Sequence, residues 1–190
     1  MSVIIGYKKN NKIWMAGDSR VTSGTHIDKL AESTAKIWTE NGMIIGGVGM
    51  LNELQLMRYS HPIVEEDILL DKVDPEYLFF LYSAFGKLYL EHFGITPEIN
   101  SGYPDVLRSS FMFGVNGHLY VLDSFGSVME YDNFEVIGCA ADLVRGYILG
   151  HQDEENVEQL LTDAIKYAAT MDNGIDTNIC IYSIDMEEHD

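Results

Sequence analysis

The chain is poor in several things, and each shortage closes off a class of protein. Only two of its 190 residues are cysteine, Cys139 and Cys180, and only four are proline. Two cysteines do not make a disulfide framework. Both stand in apolar stretches, which suits reduced thiols and a cytoplasmic location. No apolar run approaches the roughly 20 residues that a membrane-spanning helix needs. The opening Met-Ser-Val-Ile-Ile-Gly-Tyr-Lys-Lys has no basic segment ahead of an apolar one, so no secretory signal is expected. Basic residues are scarce: twelve Lys and Arg stand against thirty Asp and Glu, for a formal net charge of −18. Nucleic-acid partners demand a basic footprint and anionic membranes attract the same sign, so neither is expected. None of the six histidines is paired at metal spacing, and there is no H-E-x-x-H or C-x-x-C. The acidic runs at 65–76, 153–158 and 185–190 lack the pattern of a calcium loop and read as solvated faces. No metal and no cofactor are expected.

What is present is ordinary globular material, 46% hydrophobic and 11% aromatic. At this length it makes one domain, residues 1–190, large enough to bury a core without staples. Apolar runs Val3 to Lys8 and Lys12 to Ala16 flank Asn10-Asn11; Ala35 to Glu40 and Met43 to Val48 flank Asn41-Gly42. Both read as hairpins, so the first 50 residues read as four strands, with 21–34 as loop or irregular strand. A helical stripe then runs from Leu51 towards Pro62. Asp74 followed by Pro75 marks the start of a long amphipathic helix ending at Gly94. A loop follows over 95–108. Strands return at Ser110 to Val115 and His118 to Asp123, around Asn116-Gly117, and at Phe134 to Ile137. Helices follow at 140–149 and 154–170, with a last strand at Asn178 to Ile184. Strands grouped apart from helices argue for antiparallel sheets with segregated helix layers, an α+β fold.

Four features carry possible chemistry. Gly46-Gly47-Val48-Gly49 follows a strand and precedes a helix, but no P-loop lysine follows, and Asn52 stands where a dinucleotide fingerprint needs its third glycine. Its glycines are better suited to close backbone approach or to aiming an N–H group outward. Cys139 stands at a strand-to-helix junction, where a thiol pKa can fall; as a small buried residue it needs no such role. Asp18, in Gly17-Asp18-Ser19-Arg20, and Lys36, in Ala35-Lys36-Ile37, can be read as a turn residue and a strand lysine. Ser2 becomes the first residue if Met1 is removed, as expected before so small a side chain. It then carries a hydroxyl and an α-amino group of pKa near 7.7–8.0 on one residue, nucleophile and base together.

Taken in order, Ser2, the segment Met15-Ala-Gly-Asp18-Ser19-Arg20-Val-Thr22, Ala35-Lys36-Ile37, Ile45-Gly46-Gly47-Val48-Gly49 and the final Ile179-Cys180-Ile181-Tyr182 strand resemble the proteasome β-subunit family, and above all its HslV-type bacterial members. These are N-terminal nucleophile hydrolases. Ser2 and Asp18 are sixteen positions apart, the family's spacing. The resemblance covers most of the chain and implies a four-layer αββα sandwich of two antiparallel sheets between helix layers. It also implies roles. Ser2 attacks a carbonyl, its amino group takes the proton, Lys36 supplies a cationic field, Asp18 orients Lys36, and the Gly49 N–H stabilises the oxyanion. Asp172 matches the family's second aspartate, and Cys139 takes the place of a supporting serine. Peptide or unfolded protein is the implied substrate, a homo-oligomeric ring or double ring the implied assembly, and an ATPase unfoldase a conceivable partner. The chain departs from the pattern in four places. Serine replaces threonine at the nucleophile, two extra residues separate Asp18 from Lys36, Cys139 replaces serine, and Ile175 falls where a serine is usual. A peptidase subunit, a catalytically silent scaffold subunit and a small-amide hydrolase are the readings to separate.

Overall fold

The structure, a computed structural model, describes residues 2–23, 25–60, 72–93 and 107–186. In chain order the elements are β1 Val3–Lys9, β2 Lys12–Asp18, β3 Arg20–Ser23, β4 His26–Lys29, β5 Ile37–Glu40, β6 Met43–Val48, α1 Leu51–Tyr59, α2 Pro75–Phe93, β7 Ser110–Val115, β8 His118–Leu122, β9 Val128–Tyr131, β10 Phe134–Gly138, α3 Ala141–Gly150, α4 Val157–Met171 and β11 Ile179–Asp185. A single 3₁₀ turn, Glu32–Thr34, sits between β4 and β5. The long helix starts as expected, with the Asp74 carboxylate accepting the Tyr77 N–H at 2.7 Å. The loop expected over 95–108 lies outside the described residues up to 106, as do most of the acidic runs at 65–76 and 185–190.

All three hairpins expected at asparagine pairs form. Asn10 and Asn11 lie at φ 57° and 55°, Asn41-Gly42 at 45° and 76°, and Asn116-Gly117 at 48° and 78°. Positive φ at both central residues gives the tight turn whose twist matches the strands it joins. The stretch read as loop or irregular strand contains a regular two-stranded ribbon, Arg20–Ser23 with His26–Lys29. A further strand, β9, pairs with β8 at the sheet edge. Both are polar or exposed and lack the alternation by which a half-buried strand is read.

The sheets are antiparallel: a four-stranded sheet in the order β10-β1-β2-β11 and a five-stranded one in the order β5-β6-β7-β8-β9. Three apolar clusters follow from the period of two. Ile4, Ile13 and Met15 of the first sheet meet Ile44, Met112, Leu119 and Val121 of the second. The alternate residues of β1, Val3, Ile5 and Tyr7, point the other way, onto Val144, Leu161 and Ile165 of α3 and α4. Met43, Ile45, Phe111 and Phe113 of the second sheet likewise meet Leu54 and Met57 of α1 and Leu78 and Phe85 of α2. Both faces of β1 are therefore buried, and its N-terminal end carries Ser2.

Candidate active site

Ser2 is held by the end of the first sheet. Its carbonyl accepts the Cys139 N–H at 3.0 Å and lies 3.5 Å from the Cys139 Sγ. Gly138, paired with Val3 across β1 and β10, has φ +113°, and a Cβ there would lie 2.0 Å from the Ser2 carbonyl oxygen. Only glycine fits this contact. Antiparallel pairing of β1 with β2 sets Ile4 opposite Gly17, which brings Asp18 to the same end of the sheet.

The Asp18 carboxylate ties three segments together. Its Oδ1 accepts the Val3 N–H at 3.0 Å and the Lys36 ammonium at 3.1 Å, and its Oδ2 accepts the Arg20 N–H at 3.0 Å. The side chains of Lys36 and Asp18 are 3% and 0% exposed. A pair this deep tolerates its desolvation only with its hydrogen bonds filled, and here backbone donors fill them. Burial lowers the pKa of Lys36 below the usual lysine value; Asp18 is the main force pushing it back up, with smaller contributions from Asp176 and Cys139. The two extra residues between Asp18 and Lys36 do not keep the pair apart, since the β3–β4 ribbon and the 3₁₀ turn occupy the intervening stretch.

Ser2, Lys36 and Gly49 line one cleft of about 300 Å³ together with Arg20, Thr22 and Met50. A second cleft, of about 220 Å³, is lined by Ser2, Gly49, Arg108, Gly138 and Cys139. Ser2 and Gly49 thus stand between the two. Gly49 has φ +129°, and a Cβ there would lie 2.5 Å from the Arg108 carbonyl oxygen and from Ser109 Oγ. Asp172 joins through Cys139, whose thiol it hydrogen-bonds; burial first, and Asp172 second, push the thiol pKa up. A raised pKa makes the nucleophilic thiolate scarcer; Cys139 is exposed, and not the small buried residue that its apolar surroundings suggest. Asp172 also accepts the Gly174 N–H at 2.7 Å. All six residues expected at a site are therefore placed in one neighbourhood.

Sequence reasoning missed Asp176, Ser19, Glu53 and Ser109, all buried. Asp176 Oδ2 lies 3.7 Å from Lys29 Nζ, Ser19 Oγ lies 3.4 Å from both carboxylate oxygens, and the Asn178 N–H donates to Oδ1 at 3.0 Å. Asp176-Thr177-Asn178 reads in the sequence as a turn ahead of a strand, and only the pairing of Ile179 with Asp18 brings it to the site. Ile175 is 2% exposed and packs with α4, so that position offers no hydroxyl. Among the described residues no group of three or more His, Cys, Asp or Glu could hold a metal ion, and no helix is long and apolar enough to cross a membrane.

No protein-family model matches the sequence, and no curated protein does. Solved structures do match. BPH of Thiobacillus denitrificans in complex with epoxomicin superposes at a TM-score of 0.82 with 12% identity, over 97% of this chain and 99% of that one. Eukaryotic HslV from Trypanosoma brucei gives 0.72 with 16% identity, over 96% and 99%. Anbu, an ancestral β-subunit, from Yersinia bercovieri gives 0.69 with 13% identity, over 96% and 81%. The fold is proteasome-like. The family likeness read in the sequence is thus borne out in the fold.

Proposed function

We propose that this chain is a peptidase subunit with the four-layer αββα architecture of the N-terminal nucleophile hydrolases, acting through Ser2 once Met1 is removed. One observation carries the reading: Ser2, Lys36 and Gly49 line a single cleft, while Asp18 binds both Lys36 and the Val3 N–H directly after Ser2. In the proposed reaction Ser2 Oγ attacks the peptide carbonyl, and its proton passes to the α-amino group of the same residue. Lys36 lowers the pKa of both groups through its charge. The Gly49 N–H meets the developing oxyanion, where loss of one such donor costs about 3–4 kcal/mol. The protonated amine then serves the departing amino group, and water releases the acyl enzyme. Peptide or unfolded protein is the proposed substrate. A homo-oligomeric ring fed by an ATPase unfoldase is the proposed setting, and the two unpaired cysteines suit the cytoplasm.

Ile175, buried where the resemblance expects a serine, favours a silent scaffold subunit as the second reading. Intact mass and labelling separate the two. Natively expressed protein lacking Met1, modified by epoxomicin in wild type and untouched in Ser2→Ala, supports the hydrolase. Retention of Met1, or equal labelling of Ser2→Ala, overturns it. A monomeric particle with Ser2 labelling would point instead to a small-amide hydrolase.

A further inference from the structure

The segment that carries Gly49 is fastened to residues 108–109 through two buried side chains, Ser109 and Glu53. Helix α1 begins after Met50, whose carbonyl accepts the Glu53 and Leu54 N–H groups at 3.0 and 3.1 Å. At a helix start, a residue at the cap and a Glu three places on commonly cap each other reciprocally. Here Met50 has no capping side chain, and the exchange is made with a second strand entry. The Met50 N–H donates to Ser109 Oγ at 2.9 Å. The Glu53 carboxylate accepts the Arg108 N–H at 3.1 and 3.3 Å through its two oxygens. Ser109 is 0% and Glu53 2% exposed. Gly49 itself presses against Arg108 and Ser109, leaving no room for a Cβ.

We infer that Ser109 and Glu53 are positioning residues for the Gly49 oxyanion donor: a capping box divided between residues 50–53 and 108–109 fixes the turn on which that N–H is carried. The physical reason is the Gly49–Met50 peptide plane. Ser109 Oγ takes the Met50 N–H to the buried side, and this fixes the plane on one side of Gly49, while the packing of Gly49 at φ +129° limits rotation on the other. The Met50 N–H is thereby committed, which leaves Gly49 to serve the cleft shared with Ser2. Neither Ser109 nor Glu53 touches substrate; each acts through the turn. The inference rests on the hydrolase reading above.

The test is Ser109→Ala in the full, assembled protein, with Ser109→Cys as a second variant that keeps the volume but is a weak acceptor. A displacement of about 1 Å at such a donor costs about 100-fold in rate. The expected result is a drop of about 100-fold in kcat with KM nearly unchanged. A peptide aldehyde, which forms a tetrahedral adduct with the nucleophile, should lose affinity by a similar factor, while a non-reacting peptide amide binds as before. Wild-type kcat and aldehyde affinity in either folded variant overturn the inference, as does a loss confined to KM. Failure of both variants to fold also counts against it, because the hydroxyl would then serve the fold and not the donor. Absence of any Ser2 labelling in wild type is a different outcome: it removes the hydrolase reading itself and this inference with it.

Discussion

Lys36 is the residue on which electrostatics and stability meet. Removing it leaves Asp18 buried with its two backbone donors and no cation, and breaking a buried pair from one side costs about 3–5 kcal/mol. Lys36→Met is expected to lose about 3 kcal/mol by denaturant unfolding, because the donors from Val3 and Arg20 remain. The pH dependence has a definite sign. The folded pKa of Lys36 is lowered from 10.5, so between that lowered value and 10.5 the unfolded chain holds a proton that the folded chain does not. Stability therefore rises with pH across this window. The unfolding free energy of wild type minus that of Lys36→Met should grow as pH climbs towards 10.5, and a flat or falling difference would be inconsistent with burial as the dominant influence. Gly138 gives a second test at this scale. With a Cβ 2.0 Å from the Ser2 carbonyl oxygen, Gly138→Ala should cost at least about 2 kcal/mol and sharply slow epoxomicin labelling by shifting Ser2. Unchanged labelling would mean that the end of β1 is not held by this contact. Asp18 was legible in the sequence because the family spacing ties it to Ser2, and Lys36 because Ala35-Lys36-Ile37 follows in the family's order, although two residues late. Ser109 and Glu53 were not, since a serine ahead of a strand and a glutamate in a first helical turn are ordinary in both places. Their meaning comes only from meeting one another.

At the scale of elements, the hairpin of β1 and β2 sets the site, because one register brings Ser2 and Asp18 to the same end. Its turn differs from the other two. Asn41-Gly42 and Asn116-Gly117 place glycine at the second left-handed position, whereas Asn10-Asn11 places asparagine at both, at φ 57° and 55°. A β-branched side chain in that conformation costs about 1–2 kcal/mol. Asn10→Val should lower stability by that amount, seen as a fall in thermal midpoint, while the folded fraction keeps normal labelling of Ser2. An unchanged midpoint would show that the turn is not needed to set the register. These turns explain why most of the fold could be read in advance: an Asn-Gly or Asn-Asn pair between alternating apolar residues is a local signal with a local cause. The β3–β4 ribbon and β9 carry no such signal. His26–Lys29 is exposed along its whole length, and Val128–Tyr131 is exposed at its two central residues. Their strand character comes from pairing with a neighbour, which no window of the sequence contains.

Across the whole molecule the dominant quantity is the net charge of −18. Identical chains brought together bring identical charge, so any ring of this protein works against its own field. Attraction must come from apolar surface, and the described residues leave Phe79 and Phe80 of α2 at 55% and 60% exposed and Met171 of α4 at 67%. The two forces respond differently to salt. Repulsion between exposed charges fades once their separation passes the Debye length, about 10 Å at 0.1 M and about 30 Å at 0.01 M, whereas apolar burial is insensitive to salt over that range. Self-association of the wild-type chain should therefore strengthen as sodium chloride rises from about 0.01 to 0.3 M, with sedimentation velocity moving towards the assembled particle. Phe80→Asp, which adds a charge and removes apolar area on one exposed helix face, should weaken assembly most at low salt. Dissociation on adding salt would contradict this balance, since it would mean that complementary ion pairs join the copies despite thirty acids against twelve bases. Because the candidate site is enclosed within one chain, around Ser2, Asp18, Lys36 and Gly49, labelling of Ser2 should survive in the dissociated form. Loss of labelling in step with dissociation would place part of the working site on a neighbouring copy.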